Sequence, residues 1–119
     1  MSDFRDLEIW REAHKLTIEI YKLTEKLPRS ELFVLTSQIR RAALSVESNI
    51  AEGEGRYHKA DRIKFFVDSR ASGKEVQTQL LVIKDLYKQL SRESETLFDR
   101  YEVLARRITS LINYRRTNN

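Results

Sequence analysis

The sequence lacks cysteine and has only three glycines and one proline in 119 residues. The absence of cysteine excludes disulfide frameworks, thiolate catalysis and cysteine-based zinc sites. Because glycine and proline interrupt helices, their scarcity favours long continuous helices. No apolar run reaches the roughly 18 residues of a membrane span, and the mixed, acidic start MSDFRDLEIW is unlike a signal peptide. We therefore expect a cytoplasmic protein with no membrane association.

Histidine is scarce as well, and the common catalytic patterns are missing. His14 and His58 are the only imidazoles, and no glutamate has a histidine three residues later, as di-iron bundles require. The chain has no HExxH, GxGxxG or GxxxxGK[ST] motif. These absences predict a protein that is not an enzyme and that uses no metal, cofactor or small-molecule substrate.

The charge balance is mildly basic. Lysine and arginine number 22 against 18 aspartates and glutamates, which gives a net charge of +4 and a pI of about 9.5. Such a charge permits contact with nucleic acid, but the acidic residues are spread through the same segments. A mixed, well-solvated surface explains the charge equally well.

Apolar residues recur at steps of three and four along four segments, which is the spacing of amphipathic helices. The predicted helices span residues 6–27, 30–52, 59–90 and 95–115, with a turn over residues 91–94. Pro28 ends the first helix, Ser30 caps the second, and Gly53 or Gly55 ends the second in a left-handed cap. Short connections predict an all-α, antiparallel up-down-up-down four-helix bundle in a single domain, residues 1–119.

The middle of the third segment is unusually small. Ser69, Ala71, Ser72 and Gly73 remove bulk, and a glycine inside a helix costs about 1 kcal/mol relative to alanine. We expect this stretch to let the third helix approach residues 42–43 of the second closely. The alternative is a kink or break at Gly73.

A polar stripe runs along the second segment. Its members recur at steps of three and four and share one helix face: Gln38, Arg41, Ser45, Asn49 and Glu52. Glu75, two residues after Gly73, is a candidate partner for Arg41. The stripe is interpreted as a hydrogen-bonded network that fixes register within the bundle or between subunits. The alternatives are a surface that contacts a ligand or nucleic acid, and plain exposure to solvent.

Basic residues surround Tyr57 in the run GRYHKADRIK, and cations beside an aromatic ring suit phosphate contact with base stacking. A solvated helix start explains the same run. Arg106–Arg107 and Arg115–Arg116 form a second basic cluster. The candidate nucleic-acid-binding residues are Arg56, His58, Lys59, Arg62, Arg106 and Arg107.

The run SQIRRAALSVESNIAEGEGR, residues 37–56, resembles the bacterial four-helix-bundle family first noticed in intervening sequences of 23S ribosomal RNA genes. FRDLEIWREAH, LPRSELFVL and RASGKEVQTQL resemble other segments of that family, although Glu47 stands where the family has proline. The resemblance implies a homopentameric four-helix bundle without an established activity. The accessory proteins of diversity-generating retroelements are distantly similar and bind nucleic acid, which carries over only by analogy.

Together, the residues and the resemblance predict a non-catalytic, oligomeric protein that binds RNA or structured DNA. The alternative is a protein–protein adaptor whose charge serves solubility. The first interpretation predicts binding that weakens steeply with salt, whereas the second predicts a specific protein partner.

Overall fold

The computed structural model describes residues 3–118. Within them the chain is almost wholly helical and contains no β-strand. Four helices make the bundle: α1 Glu8–Thr24, α2 Ser37–Gly55, α3 Lys59–Leu86 and α4 Ser91–Asn118. Short 3-10 turns span Phe4–Asp6, Arg29–Glu31 and Lys88–Leu90, and a π-helical turn, Leu32–Thr36, leads into α2. The predicted all-α four-helix bundle is confirmed.

Neighbouring helices run antiparallel, and α1 closes the bundle against α4. The hydroxyls of Ser45 in α2 and Ser72 in α3 share a hydrogen bond of 2.9 Å. On the opposite side of the bundle, Arg107 of α4 donates to Glu8 of α1 at 2.7 Å. The α1–α4 and α3–α4 seams carry several such ion pairs.

The core consists of the apolar rows that the sequence periodicity predicts. The largest fully buried side chains include an aromatic from α3, one from α4, and aliphatic residues from all four helices: Tyr101, Phe66, Leu16, Ile20, Leu23, Ile39, Ile50, Leu80, Ile83, Leu104, Ile108 and Ile112. Each buried leucine or isoleucine contributes about 1.5–3 kcal/mol relative to an exposed one. The buried rows therefore hold the four helices in place.

The ends of the helices differ from the predicted ones. α1 ends at Thr24, and the amides of Lys26 and Leu27 bond to carbonyls three residues back, so the chain tightens before Pro28. The prediction that Ser30 caps the second helix is wrong. Ser30 lies in the 3-10 turn Arg29–Glu31, whereas α2 begins at Ser37. The predicted turn over residues 91–94 is also wrong, because α4 begins at Ser91.

The glycines act differently from the prediction. Neither Gly53 nor Gly55 adopts a left-handed backbone, and both lie inside α2. A Cβ on Gly53 would come within 3.0 Å of the Phe66 ring and 3.1 Å of the Arg62 carbonyl, so Gly53 is the point of close helix contact. At Gly73 a Cβ would meet nothing within 4 Å, and α3 continues through it without a break. The expected close approach at Gly73 is therefore wrong in position.

A small residue of the third helix does make the tight contact with α2, one turn before Gly73. Ser69 is fully buried, and its hydroxyl donates to the backbone carbonyl of Val46 at 2.7 Å. A larger side chain at this position would separate the two backbones. The low bulk of this stretch therefore serves helix packing, as predicted, through Ser69.

Candidate nucleic-acid interface

One end of the bundle gathers the turn between α2 and α3 and the last residues of α4. The ammonium of Lys59 donates to the backbone carbonyl of Arg116 at 3.2 Å, which joins the start of α3 to the end of α4. We call residues 56–62 together with Arg115 and Arg116 the basic end. The predicted site contained Arg56, His58, Lys59 and Arg62 of this set, but not Arg115 or Arg116.

An ion pair secures the basic end from inside. Arg115 donates to Glu54 at 3.0 Å, and the two side chains are only 13% and 7% exposed. The Arg115 guanidinium also lies 5.6 Å from the centre of the Phe66 ring. This contact holds the end of α4 against the end of α2. α4 itself continues to Asn118, past the predicted end at residue 115.

The other cations of the basic end differ in how well acidic groups neutralise them. Arg56 donates to Glu52 at 2.6 Å and lies over the Phe65 ring. Arg62 and Arg116 make no side-chain hydrogen bond or ion pair with any residue between 3 and 118. Lys59 bonds only a neutral carbonyl there. Three cationic groups thus remain available for an anion.

The aromatic residue of the basic end projects into solvent. Tyr57 is 89% exposed, the highest value among the large hydrophobic side chains described. Its ring meets the His58 ring edge to face, at 5.1 Å between centres. Arg56 and His58 on either side have extended backbones, so Tyr57 sits in a short linker between two helix ends.

The structure does not bring Arg106 and Arg107 to the basic end. Arg106 pairs with Glu102 at 3.7 Å, and Arg107 pairs with Glu8 at 2.7 Å. Arg106 precedes Arg116 by about 15 Å along α4 at 1.5 Å per residue. These two arginines therefore belong to the ion-paired flank of the bundle.

Part of the predicted polar stripe forms a small hydrogen-bonded group between α2 and α3. Besides the contact between the hydroxyls of Ser45 and Ser72, the Asn49 amide donates to the Ser45 carbonyl at 2.9 Å and to its hydroxyl at 3.0 Å. All three side chains are half-buried. The group links the two helices one turn from the buried Ser69.

The other members of the stripe face outward: Gln38, Arg41, Glu52 and Glu75 are exposed. Arg41 and Glu75 lie about one turn beyond the Ser45–Ser72 contact, on the same side of the bundle. Within residues 3–118, however, no hydrogen bond or ion pair joins them. The expected pair between Arg41 and Glu75 is therefore not made inside the chain. The alternative, that the two residues pair between subunits, stays a prediction.

A comparison with models of protein families identifies the family of this chain. The model described as 23S rRNA-intervening sequence protein matches residues 5–110. The chain belongs to this family. The match ends before Arg115 and Arg116, so these two arginines of the basic end lie outside the part of the chain that matches this intervening-sequence family.

A solved structure gives independent support for the fold. The chain is similar to a protein of unknown function from the S23 ribosomal protein family of Bacteroides thetaiotaomicron, with a TM-score of 0.80 and 20% identity. The similarity covers 88% of this chain and 95% of the other. At this identity it establishes the fold alone. A comparison with curated proteins finds no match.

Two further findings concern membrane spans and metal ions. No helix in the described part of this family member is long and apolar enough to cross a membrane. Among residues 3–118, no three histidine, aspartate or glutamate side chains are grouped so as to hold a metal ion.

Proposed function

We propose that this intervening-sequence protein is a cytoplasmic, non-catalytic nucleic-acid-binding protein that acts as a homo-oligomer. The proposal rests on the basic end, where no carboxylate of residues 3–118 pairs with Lys59, Arg62 or Arg116. Cations without acidic partners attract the phosphates of a nucleic acid. The family description refers to 23S ribosomal RNA, which makes RNA the first ligand to test.

Several copies are needed because one basic end is small. Three cations give only a few phosphate contacts, and each contact is weakened by salt. If copies are joined with their basic ends near one another, the contacts of one nucleic-acid strand add up as a multivalent interaction. The number of copies, five, is the one that the family resemblance implies.

The surface that we propose for contact between copies lies along α1 and α2. The α1–α2 groove is lined by Tyr21, Leu32, Phe33, Arg40, Arg41 and Leu44. Phe33 is 87% exposed, and Leu32 and Leu44 are exposed beside it. Exposed apolar patches of this kind are typical of protein contacts.

The occupant that we propose for this groove is a second copy of the chain. Arg41 at the groove and Glu75 on α3 are opposite charges, and neither has a partner within residues 3–118. A neighbouring copy that covers the groove with its α3 would pair them. Such a contact fixes orientation through charge complementarity.

The adaptor function is the second candidate, and the same groove favours it. The exposed apolar surface of the groove suits a different protein as well as a second copy of this chain. The two functions differ in what the basic end does. An adaptor would bind its partner equally well after the cations of the basic end are removed.

The experiment is a titration of RNA and DNA fragments at several salt concentrations. The triple variant Lys59→Gln, Arg62→Gln and Arg116→Gln removes the unpaired cations. We expect the slope of log affinity against log salt to fall by about 2–3 units for each copy that contacts the strand, since each phosphate contact contributes about 0.7–0.9. A wild-type chain that binds neither RNA nor DNA at low salt contradicts the proposal.

The matched control removes the same charge from the other end of the bundle. Arg29, Lys88 and Arg92 are exposed, and their side chains make no hydrogen bond or ion pair with any residue between 3 and 118. The variant Arg29→Gln, Lys88→Gln and Arg92→Gln should keep the wild-type salt slope. If both triple variants change the slope equally, binding follows net charge and the basic end is not the site.

A further inference from the structure

We propose that the ligand of the basic end is a single-stranded nucleic acid, one of whose unpaired bases stacks on the ring of Tyr57. This inference rests on the proposed function and adds the class of nucleic acid that is bound. It follows from the exposure of Tyr57, the unpaired cations beside it and the chemistry of base faces.

The ring of Tyr57 has almost no partner within the chain. It is 89% exposed, and its one ring contact with residues 3–118 is the edge-to-face contact with His58 at 85° between planes. Most of its surface therefore remains open to a flat ligand. An aromatic ring left in water gains from covering by another π-system, which every nucleobase provides.

The residues around the ring suit a phosphate backbone. Arg56 and His58 flank Tyr57 directly, and Lys59 and Arg62 follow on the first turn of α3. The ring nitrogens of His58 have no hydrogen-bond partner in the described chain, and the side chains of Lys59 and Arg62 have no acidic one. A strand that stacks a base on Tyr57 has its neighbouring phosphates within reach of these side chains.

A duplex cannot use this arrangement well. Its bases stack on their own neighbours, so their faces are hidden, and a protein ring gains access only by unstacking them. Single strands and loops expose those faces, and stacking on aromatic side chains is how proteins commonly bind them. The exposed ring therefore favours unpaired nucleotides over double helices.

A second strongly exposed aromatic side chain has a different setting. Phe33 is 87% exposed, but Leu32 and Val34 beside it are apolar and exposed too. Phe33 also lines the groove that we propose for contact between copies. Its exposure therefore suits a protein partner, whereas that of Tyr57 suits a nucleobase.

The test measures the affinity of full-length protein for a fluorescent single-stranded oligonucleotide and for the same sequence as a duplex, at one salt concentration. We expect Tyr57→Ala to weaken single-strand binding by about 5- to 160-fold, the range typical of one stacked base. Duplex binding should change less than about twofold, because stacking contributes little to it. Tyr57→Phe and Tyr57→Trp keep a ring and should retain the wild-type affinity.

The outcomes separate this inference from the proposed function. If the wild-type chain binds neither oligonucleotide, the proposed function itself fails. If it binds but Tyr57→Ala binds single strands like wild type, or Tyr57→Phe loses as much as Tyr57→Ala, the stacking inference is overturned while the function stands. Circular dichroism and light scattering on each variant identify any loss of fold or change of assembly.

Discussion

Arg115 near the end of α4 donates to Glu54 near the end of α2 at 3.0 Å, across 61 residues of sequence. The pair formed by Arg115 and Glu54 is the least exposed ion pair of the described chain. We expect Glu54→Gln to lower the free energy of unfolding by about 3 kcal/mol, because removal of one partner leaves the other charge buried. Urea unfolding followed by circular dichroism measures the change.

The exposed ion pair between Glu8 and Arg107 is the control. Its atoms are closer, at 2.7 Å, but Glu8 is 72% exposed. Surface pairs contribute about 0–1 kcal/mol, so Glu8→Gln should have a small effect. If the two variants lose equal stability, burial does not determine the contribution of the pair at the basic end.

Two of the helical glycines, Gly53 and Gly73, should respond in opposite directions to alanine. At Gly53 the new methyl group meets the Phe66 ring at 3.0 Å, and we expect a loss of about 1–3 kcal/mol from overpacking. At Gly73 the methyl group meets open space, so the higher helix propensity of alanine should raise stability by about 1 kcal/mol. Thermal melting of both variants measures the difference, and a loss at Gly73 would contradict the packing described.

Tyr101 should make the protein sensitive to alkaline pH. Its hydroxyl is buried and has no hydrogen-bond partner in the described chain. Burial, and next the charge of Glu47, raise the pKa of Tyr101 well above its ordinary value. The fold therefore favours the neutral form, and this stability is fully present below about pH 10, the ordinary pKa, and lost as pH rises further.

Tyr101→Phe tests this dependence directly. We expect the variant to be more stable than wild type by about 1 kcal/mol near neutral pH, because an unsatisfied buried hydroxyl is removed. Between pH 9 and pH 11 its melting temperature should fall less than that of wild type. If the melting temperatures of the two proteins fall equally over that pH range, Tyr101 does not ionise on unfolding.

The contact between copies predicts a charge-reversal pair. Arg41→Glu and Glu75→Arg should each lower the mass of the assembly, because each brings like charges together across the interface. The double variant restores opposite charges and should recover the mass. Light scattering after size exclusion measures it, and two single variants that assemble like wild type would exclude this pair from the interface.

The sequence predicted the helices well and their ends less well. Seams such as Leu16, Ile20 and Leu23 report burial directly, because the helical period is fixed by backbone geometry. The π-helical turn Leu32–Thr36 leaves no comparable pattern in the sequence, so the sequence predicts that the second helix starts at Ser30 instead of Ser37. A glycine near a helix end is compatible with a left-handed cap or with close packing. That Gly53 allows close packing follows from the position of Phe66, which the local sequence does not show.

The candidate site was predicted in part for similar reasons. The cations around Tyr57 are adjacent in sequence and could be grouped by inspection. Arg115 and Arg116 reach the same end only because α4 returns antiparallel to α3, which depends on the length of both helices. The polar stripe contained no signal that separates half-buried Asn49 from exposed Arg41, since both belong to one face.

The most direct test of the central claim is purification of the native protein at low salt, with size exclusion, light scattering and the ratio of absorbance at two ultraviolet wavelengths. The account predicts an assembly near five times 14.1 kDa that carries nucleic acid, and release of that nucleic acid by high salt and nuclease. A particle of 14.1 kDa whose absorbance is that of protein alone, and which takes up no added RNA or DNA, would contradict it.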